Sequence, residues 1–226
     1  MKWSDVQKID PIYLNLGGGI NCHPKIGYEN YISVDINPPH EGLSVKHDVR
    51  EPIPLAEQSV TRILSEDLVE HLKTAEIKAL LKECFRLLKP QGVMRIGVPD
   101  YDNPKDRLYF EKGIDPRHPD HITLTNYDLM KNIIEESPFS RYEFYHYWEE
   151  RKFTYKKIDY SFGMIKRTPD NDPRCRLGSF KQKTEVVLAD FIFKLMKGFR
   201  VSEEEMSVRR GHRLYVTSLV VDLFKD

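Results

Sequence analysis

No pair of cysteines in this chain is spaced to form a staple or to grip a metal. Cys22, Cys84 and Cys175 are odd in number and far apart, and no CxxC occurs, so neither a disulfide framework nor a zinc knuckle is expected. Neither sign of charge is in excess. The 35 basic residues match 35 acidic ones, which argues against a nucleic-acid partner, because such binders carry a basic surplus. No apolar run approaches the length of a membrane span, and the first ten residues, MKWSDVQKID, hold no apolar signal core. Stable membrane insertion is therefore not expected, and a cytoplasmic address is. No GK[ST] occurs, which excludes a P-loop, and there is no internal repeat or low-complexity tract.

What is present suits a single domain over residues 1–226, long enough to bury a sizeable core. Strand and helix signals alternate through the first hundred residues. Short apolar, β-branched runs bounded by Gly or Pro stand at Ile12 to Leu16, Tyr31 to Ile36, Val60 to Leu64 and Val93 to Val98, with a weaker one at Leu43 to His47. In TAEIKALLKECFRLLKPQG, Ile77, Leu80, Leu81, Cys84, Phe85 and Leu88 fall on one helical stripe. Thr74 is the expected cap, and Pro90 and Gly92 the expected stop. A second helix is predicted from about Thr125 to Glu135. RYEFYHYW and LYVTSLVVDLF read as later strands, with Tyr142, Phe144, His146 and Trp148 alternating on one side. Between them lie a polar connection containing TPDNDPR and an apolar helical stretch, Glu185 to Phe199, within an expected insertion over 178–212. Packing on the domain, a lid, a homodimer contact and a membrane-surface contact all remain open for that stretch.

The most informative segment is IYLNLGGGINCHPKIGYENYISVDINPP. A glycine turn after the first strand of a parallel sheet lies at the carboxyl edge, where such sheets bind ligands. Backbone without Cβ atoms lets a ligand come close. An acid ending the second strand, Asp35, can accept from both hydroxyls of a ribose. The plain alternative is a tight turn with a surface acid. The dinucleotide pattern GxGxxG fails, because Cys22 stands where the third glycine is needed. The stretch before Tyr31 contains Pro24 and Gly27, so no long helix offers its N-terminus to a pyrophosphate. A nucleoside ligand without phosphate fits better.

Taken in order, LNLGGG, SVDINPP, HDVREPIPL, ILSEDLVEHL and FRLLKPQGVMRIGVPD resemble the class I S-adenosylmethionine-dependent methyltransferases. More narrowly, the chain resembles a small bacterial branch often associated with surface-glycan biosynthesis. The resemblance implies a Rossmann-like α/β fold: a seven-stranded, mostly parallel sheet with one antiparallel strand, helices on both faces and a C-terminal insertion. It implies S-adenosyl-L-methionine as cofactor and a small-molecule or saccharide acceptor. Gly17, Gly18 and Gly19 would lie under the methionine part, Asp35 would hold the ribose, and Ile36 would pack on the adenine. Asp48 and Val49 would meet the adenine edge, and Ser65 and Glu66 would sit near the sulfonium. Two positions depart from the family pattern: Asn15 replaces the usual acid of the first strand, and Asn21 replaces its third glycine.

Transfer to an oxygen needs a base. Glu66, Glu70, His71, Asp100 and Tyr101 follow the fourth and fifth strands, and His118, Asp120 and His121 form the densest proton-handling group. His121 and His118 are the leading candidates, with Glu66 beside the acceptor; the alternative is that this loop only caps a turn. His118, Asp120 and His121 supply two metal ligands without an evident third or fourth, so no metal is expected. An NAD-linked oxidoreductase and a non-catalytic nucleoside-binding module are the competing readings.

Overall fold

The computed structural model describes residues 1–19, 30–38, 43–103, 106–150, 152–163, 180–201 and 218–226. The readings that fall on Asn21, Cys22, Pro24, Gly27, Cys175 and the TPDNDPR connection lie outside these residues, as do parts of the 178–212 insertion. The elements in chain order are α1 (Trp3–Val6), β1 (Ile12–Leu16), β2 (Tyr31–Asp35), β3 (Ser44–Lys46), β4 (Val60–Glu66), α2 (Thr74–Leu87), β5 (Leu88–Pro99), α3 (Arg107–Lys112), α4 (Tyr127–Glu135), β6 (Arg141–Glu149), β7 (Lys152–Tyr155), α5 (Phe180–Met196) and β8 (Ser218–Phe224).

The strands form one sheet in the order β3-β2-β1-β4-β5-β8-β6-β7. β1 to β5 are mutually parallel, while β8 runs antiparallel to both its neighbours. The expected seven strands with one reversed become eight, because β7 adds an antiparallel edge beside β6. The hairpin that creates it passes through Glu150 at φ 49, without the glycine or asparagine that marks such a turn in sequence.

Strand periodicity divides the side chains between two faces. Leu14, Leu16, Ile32, Val34, Ile63 and Met94 join α2, α4 and Val6 in one aliphatic core. α2 supplies Ile77, Leu80, Leu81, Cys84 and Leu87 to it. Each such side chain contributes about 1.5–3 kcal/mol when fully buried. The opposite face carries Tyr31, Leu64, Tyr145 and Val220 under Ile158. Among the described residues, a short 3-10 turn, Tyr160–Phe162, lies on that face. A polar strap holds it. Arg95, fully buried, makes a two-pronged bond to Asp222 at 2.7 and 2.7 Å and donates to the carbonyls of Asp159 (2.7 Å) and Gly163 (2.9 Å). Tyr31 adds a bond to the Phe162 carbonyl, and Arg62 one to that of Ser161.

Three local expectations change. Lys73, not Thr74, is the N-cap of α2, and its backbone N–H donates to Glu76 at 2.7 Å. Pro90 and Gly92 lie inside β5, because pairing of Leu88 with Val60 starts that strand directly at the helix end. The single-sided row on β6 is broken by a bulge between Phe144 and His146, so Tyr147 stacks on Tyr127 at 4.1 Å beside Phe144. In α5, Val187, Leu188, Phe191, Ile192, Leu195 and Met196 are exposed.

Candidate functional site

Strand order reverses between β1 and β4, and the chain segments after β1, β2, β4 and β5 meet at the carboxyl edge there. Gly17 opens the turn at φ +69, with its N–H donating to the Val34 carbonyl at 2.9 Å. A Cβ at Gly17 would lie 2.9 Å from Leu68 Cβ; one at Gly18 would lie 2.6 Å from Ser33 Oγ and 2.8 Å from Asn15 Nδ2. Gly19 is at φ +47, and among the described residues a Cβ there would meet only Asp35 Oδ2, at 3.9 Å. Glycine is thus required at Gly17 by backbone angle and crowding together. Beneath Gly18, Asn15 Oδ1 and Ser33 Oγ are buried without a partner among the described residues.

Asp35 is aimed at this turn. Its Oδ2 accepts from the Gly19 N–H at 3.0 Å and its Oδ1 from the Asn37 N–H at 2.7 Å. Each oxygen keeps a lone pair for a further donor. Ile36, next in the chain, is 53% exposed. Asp48 and Val49 are placed differently. The Asp48 carboxylate is taken by Arg50 through Nε (3.0 Å) and Nη2 (2.6 Å), which pulls its pKa down to about 2, and the Val49 side chain is buried in the aliphatic core. Ser65 is fully buried at the end of β4, opposite Leu16 and Ile96, with Oγ unpartnered among the described residues. Glu66, opposite Gly97, is also buried.

Beside the turn, a 3-10 segment, Val69–His71, and the loop 115–123 bring three histidines together. His118 stacks on His121 at 4.7 Å, and His71 meets His121 edge-on at 5.0 Å. His121 Nδ1 lies 2.6 Å from the Tyr101 hydroxyl, which donates to Asp115 at 3.1 Å. Asp115 is in turn held by Arg117. Burial, with His118 and His71 adding to it, lowers the pKa of His121 to about 4, so its ring is neutral near pH 7. Glu70 is 1% exposed, no other described residue hydrogen-bonds to its oxygens, and burial raises its pKa to about 8 against a smaller pull from its own backbone N–H. Asp100, buried and accepting from the Trp148 N–H at 2.6 Å, is raised to about 8 by the same cause. The Tyr101–Asp115–Arg117 support was missed in sequence because Tyr101 reaches Asp115 fourteen positions on, a separation with no periodic signal, and Arg117 then folds back onto Asp115.

Residues 17–96 match the family model described as a methyltransferase domain. That segment runs from the glycine turn through Ile96 and includes Asp35, Ser65 and Glu66. Among curated proteins, the chain is 24% identical over 115 residues to one of Mycolicibacterium smegmatis named "Probable S-adenosylmethionine-dependent methyltransferase", covering 50% of this chain and 42% of that one. The alignment thus spans under half the length of that relative. Among solved structures, a SAM-dependent methyltransferase from Archaeoglobus fulgidus has the same fold, at TM-score 0.56 and 18% identity, covering 99% of this chain and 90% of that one. A phosphoethanolamine N-methyltransferase of Haemonchus contortus, solved with S-adenosylhomocysteine, is similar at TM-score 0.51 and 14% identity, covering 98% of this chain and 50% of that one. The domain match is confined to residues 17–96, and the solved structures share the fold. Among the described residues, no helix is long and apolar enough to cross a membrane.

Proposed function

We propose that this chain is an S-adenosylmethionine-dependent O-methyltransferase acting on a small-molecule or glycan-related acceptor. The observation that carries the reading is the Asp35 carboxylate turned onto the Gly19 N–H at the strand-order switch, with glycine enforced at Gly17. In this arrangement Asp35 grips the ribose diol, the exposed Ile36 supports the adenine, and the methionine part lies over Gly17, Gly18 and Gly19. The unpartnered Asn15 Oδ1 and Ser33 Oγ beneath Gly18 are polar groups suited to a water or ligand contact. Asp48 contributes through the geometry of the β3 end rather than through its Arg50-bound carboxylate.

The reaction itself is an in-line displacement. The acceptor oxygen bonds to the methyl carbon, the carbon–sulfur bond breaks, and its electron pair stays on sulfur to give S-adenosylhomocysteine. The protein's part is to hold the acceptor close behind the methyl group and to receive its proton. In this reading His121 and His118, stacked on each other, receive it, and Glu66 and Ser65, at the end of β4, face the acceptor. The neutral His121 ring is available at physiological pH, although its low pKa makes it a weak base on its own.

Two experiments test this reading. Calorimetry should show binding of S-adenosylhomocysteine and none of NAD. Transfer of labelled methyl from S-adenosylmethionine to hydroxyl-bearing sugars, but not to amines, should be abolished in a His118→Ala/His121→Ala double variant that still binds cofactor. Tight NAD binding would turn the reading to an oxidoreductase. Cofactor binding without any transfer, unaffected by those histidines, would turn it to a binding module.

A further inference from the structure

The three-dimensional arrangement adds to His121 what sequence spacing alone did not offer. One donor atom from each of Glu70, His71 and His121 lies within 4.8 Å of the others. Two of these groups have their free lone pair fixed by a partner. His71 Nδ1 lies 3.0 Å from the Asp120 carbonyl, which can only accept, so Nδ1 bears the hydrogen and Nε2 the lone pair. The Tyr101 hydroxyl donates to Asp115, so His121 Nδ1, 2.6 Å away, donates to the phenol oxygen and again leaves Nε2 open. A ring N–H held by a carbonyl or by a carboxylate-backed hydroxyl is how metal-binding histidines are oriented. The third group, Glu70, is almost wholly buried, and among the described residues no other residue hydrogen-bonds to either of its oxygens. A buried acid bonded by no other residue is rare unless something absent from the protein itself satisfies it.

We propose that Glu70, His71 and His121 hold a divalent transition-metal ion of the zinc class, with one coordination position open toward the acceptor. Two imidazoles and a carboxylate form a ligand set such ions accept, and three protein ligands with an open position is the pattern of a site that takes substrate. Ligand atoms around such an ion stand about 3.3 Å apart, so small rotations, easiest for the half-buried His71, close the site. The ion would lie close to the glycine turn, since Leu68, two residues before Glu70, is the side chain that Gly17 abuts. The existence of the site does not depend on the methyl-transfer reading, but its use does. With its Nε2 on the ion, His121 no longer takes the acceptor's proton: the ion binds the acceptor oxygen and eases loss of that proton, and His118, exposed and stacked on His121, receives it alone.

The test uses the full chain, stripped with a chelator and titrated with Co2+ alone, followed by visible absorption. One Co2+ per chain is expected, with ligand-field bands that disappear on adding Zn2+. His71→Ala and His121→Ala should each weaken binding at least 100-fold. Tyr101→Phe, which removes the partner of the ring N–H, should weaken it about 10- to 100-fold. Circular dichroism should show each variant folded; His71→Ala, altered at a half-buried position, keeps the test decisive if Glu70→Gln does not fold. Asp35→Ala should bind Co2+ as the parent does while losing cofactor, so failure of the cofactor reading and failure of the metal site are read separately. No Co2+ bound by the parent, or equal binding by the parent and the His71→Ala/His121→Ala double variant, overturns the proposal.

Discussion

Replacing Gly17 with alanine tests why the turn is built of glycine. Two costs act there. An L-residue at φ +69 is in the left-handed region, which costs about 1–2 kcal/mol. The added Cβ would also stand 2.9 Å from Leu68 Cβ, closer than real carbons approach, and Leu68 Cβ cannot move without its backbone. Such overpacking costs about 1–3 kcal/mol. The smaller freedom of an unfolded chain carrying alanine returns about 0.4–1 kcal/mol. Gly19 is the natural control: its φ is +47, but among the described residues its Cβ would meet only Asp35 Oδ2, at 3.9 Å. Gly19→Ala should therefore lose about 1 kcal/mol or less, and Gly17→Ala about 1–3 kcal/mol more. Urea denaturation of both variants, with unchanged m-values, measures the difference. Equal losses would show that crowding against Leu68 plays no part, and would refute the packing argument for this turn.

Arg95→Leu leaves Asp222 buried without its partner and two strap carbonyls unbonded, and should cost about 3–5 kcal/mol by denaturant melt. Arg95→Leu/Asp222→Leu should recover much of that, and no recovery would show that the strap carbonyls carry the effect. The Glu70 pKa is raised by burial from 4.5 to about 8. The unfolded chain therefore loses this proton first as pH rises, and folded stability falls between about pH 4.5 and pH 8. In chelator, Glu70→Gln should show a shallower decline over that window by thermal melts at several pH values. An unchanged slope would mean that the parent's carboxyl is ionised there.

Much of the fold could be read before any coordinates. β1 begins and ends where its apolar run does, and Asp35 closes β2 as the run of Tyr31 to Val34 requires. These strands are buried on both sides, so a continuous apolar signal marks them. Edges and irregularities were less legible. β7 follows a turn lacking the usual turn residues, and the β6 bulge sets Tyr147 beside Phe144 on a face that simple alternation assigns to Tyr142, Phe144, His146 and Trp148. The site divided in the same way. The glycines and Asp35 sit on strand ends, where position follows from periodicity, and the structure brings them within hydrogen-bonding distance. Glu70 and His71 reach His121 from a segment about fifty residues earlier, a juxtaposition that no local spacing encodes. Asp48 looked available in sequence because nothing there shows that Arg50 folds back onto it.

The central claim is a carboxylate holding the ribose of an adenosyl ligand. Calorimetric titration of the parent and of Asp35→Ala with S-adenosylhomocysteine tests it most directly. Charge-assisted hydrogen bonds of this kind are worth about 1.5–3 kcal/mol, so the variant should bind about 10- to 100-fold more weakly while remaining folded. Equal affinity in the two proteins, or no binding by the folded parent, would contradict the account.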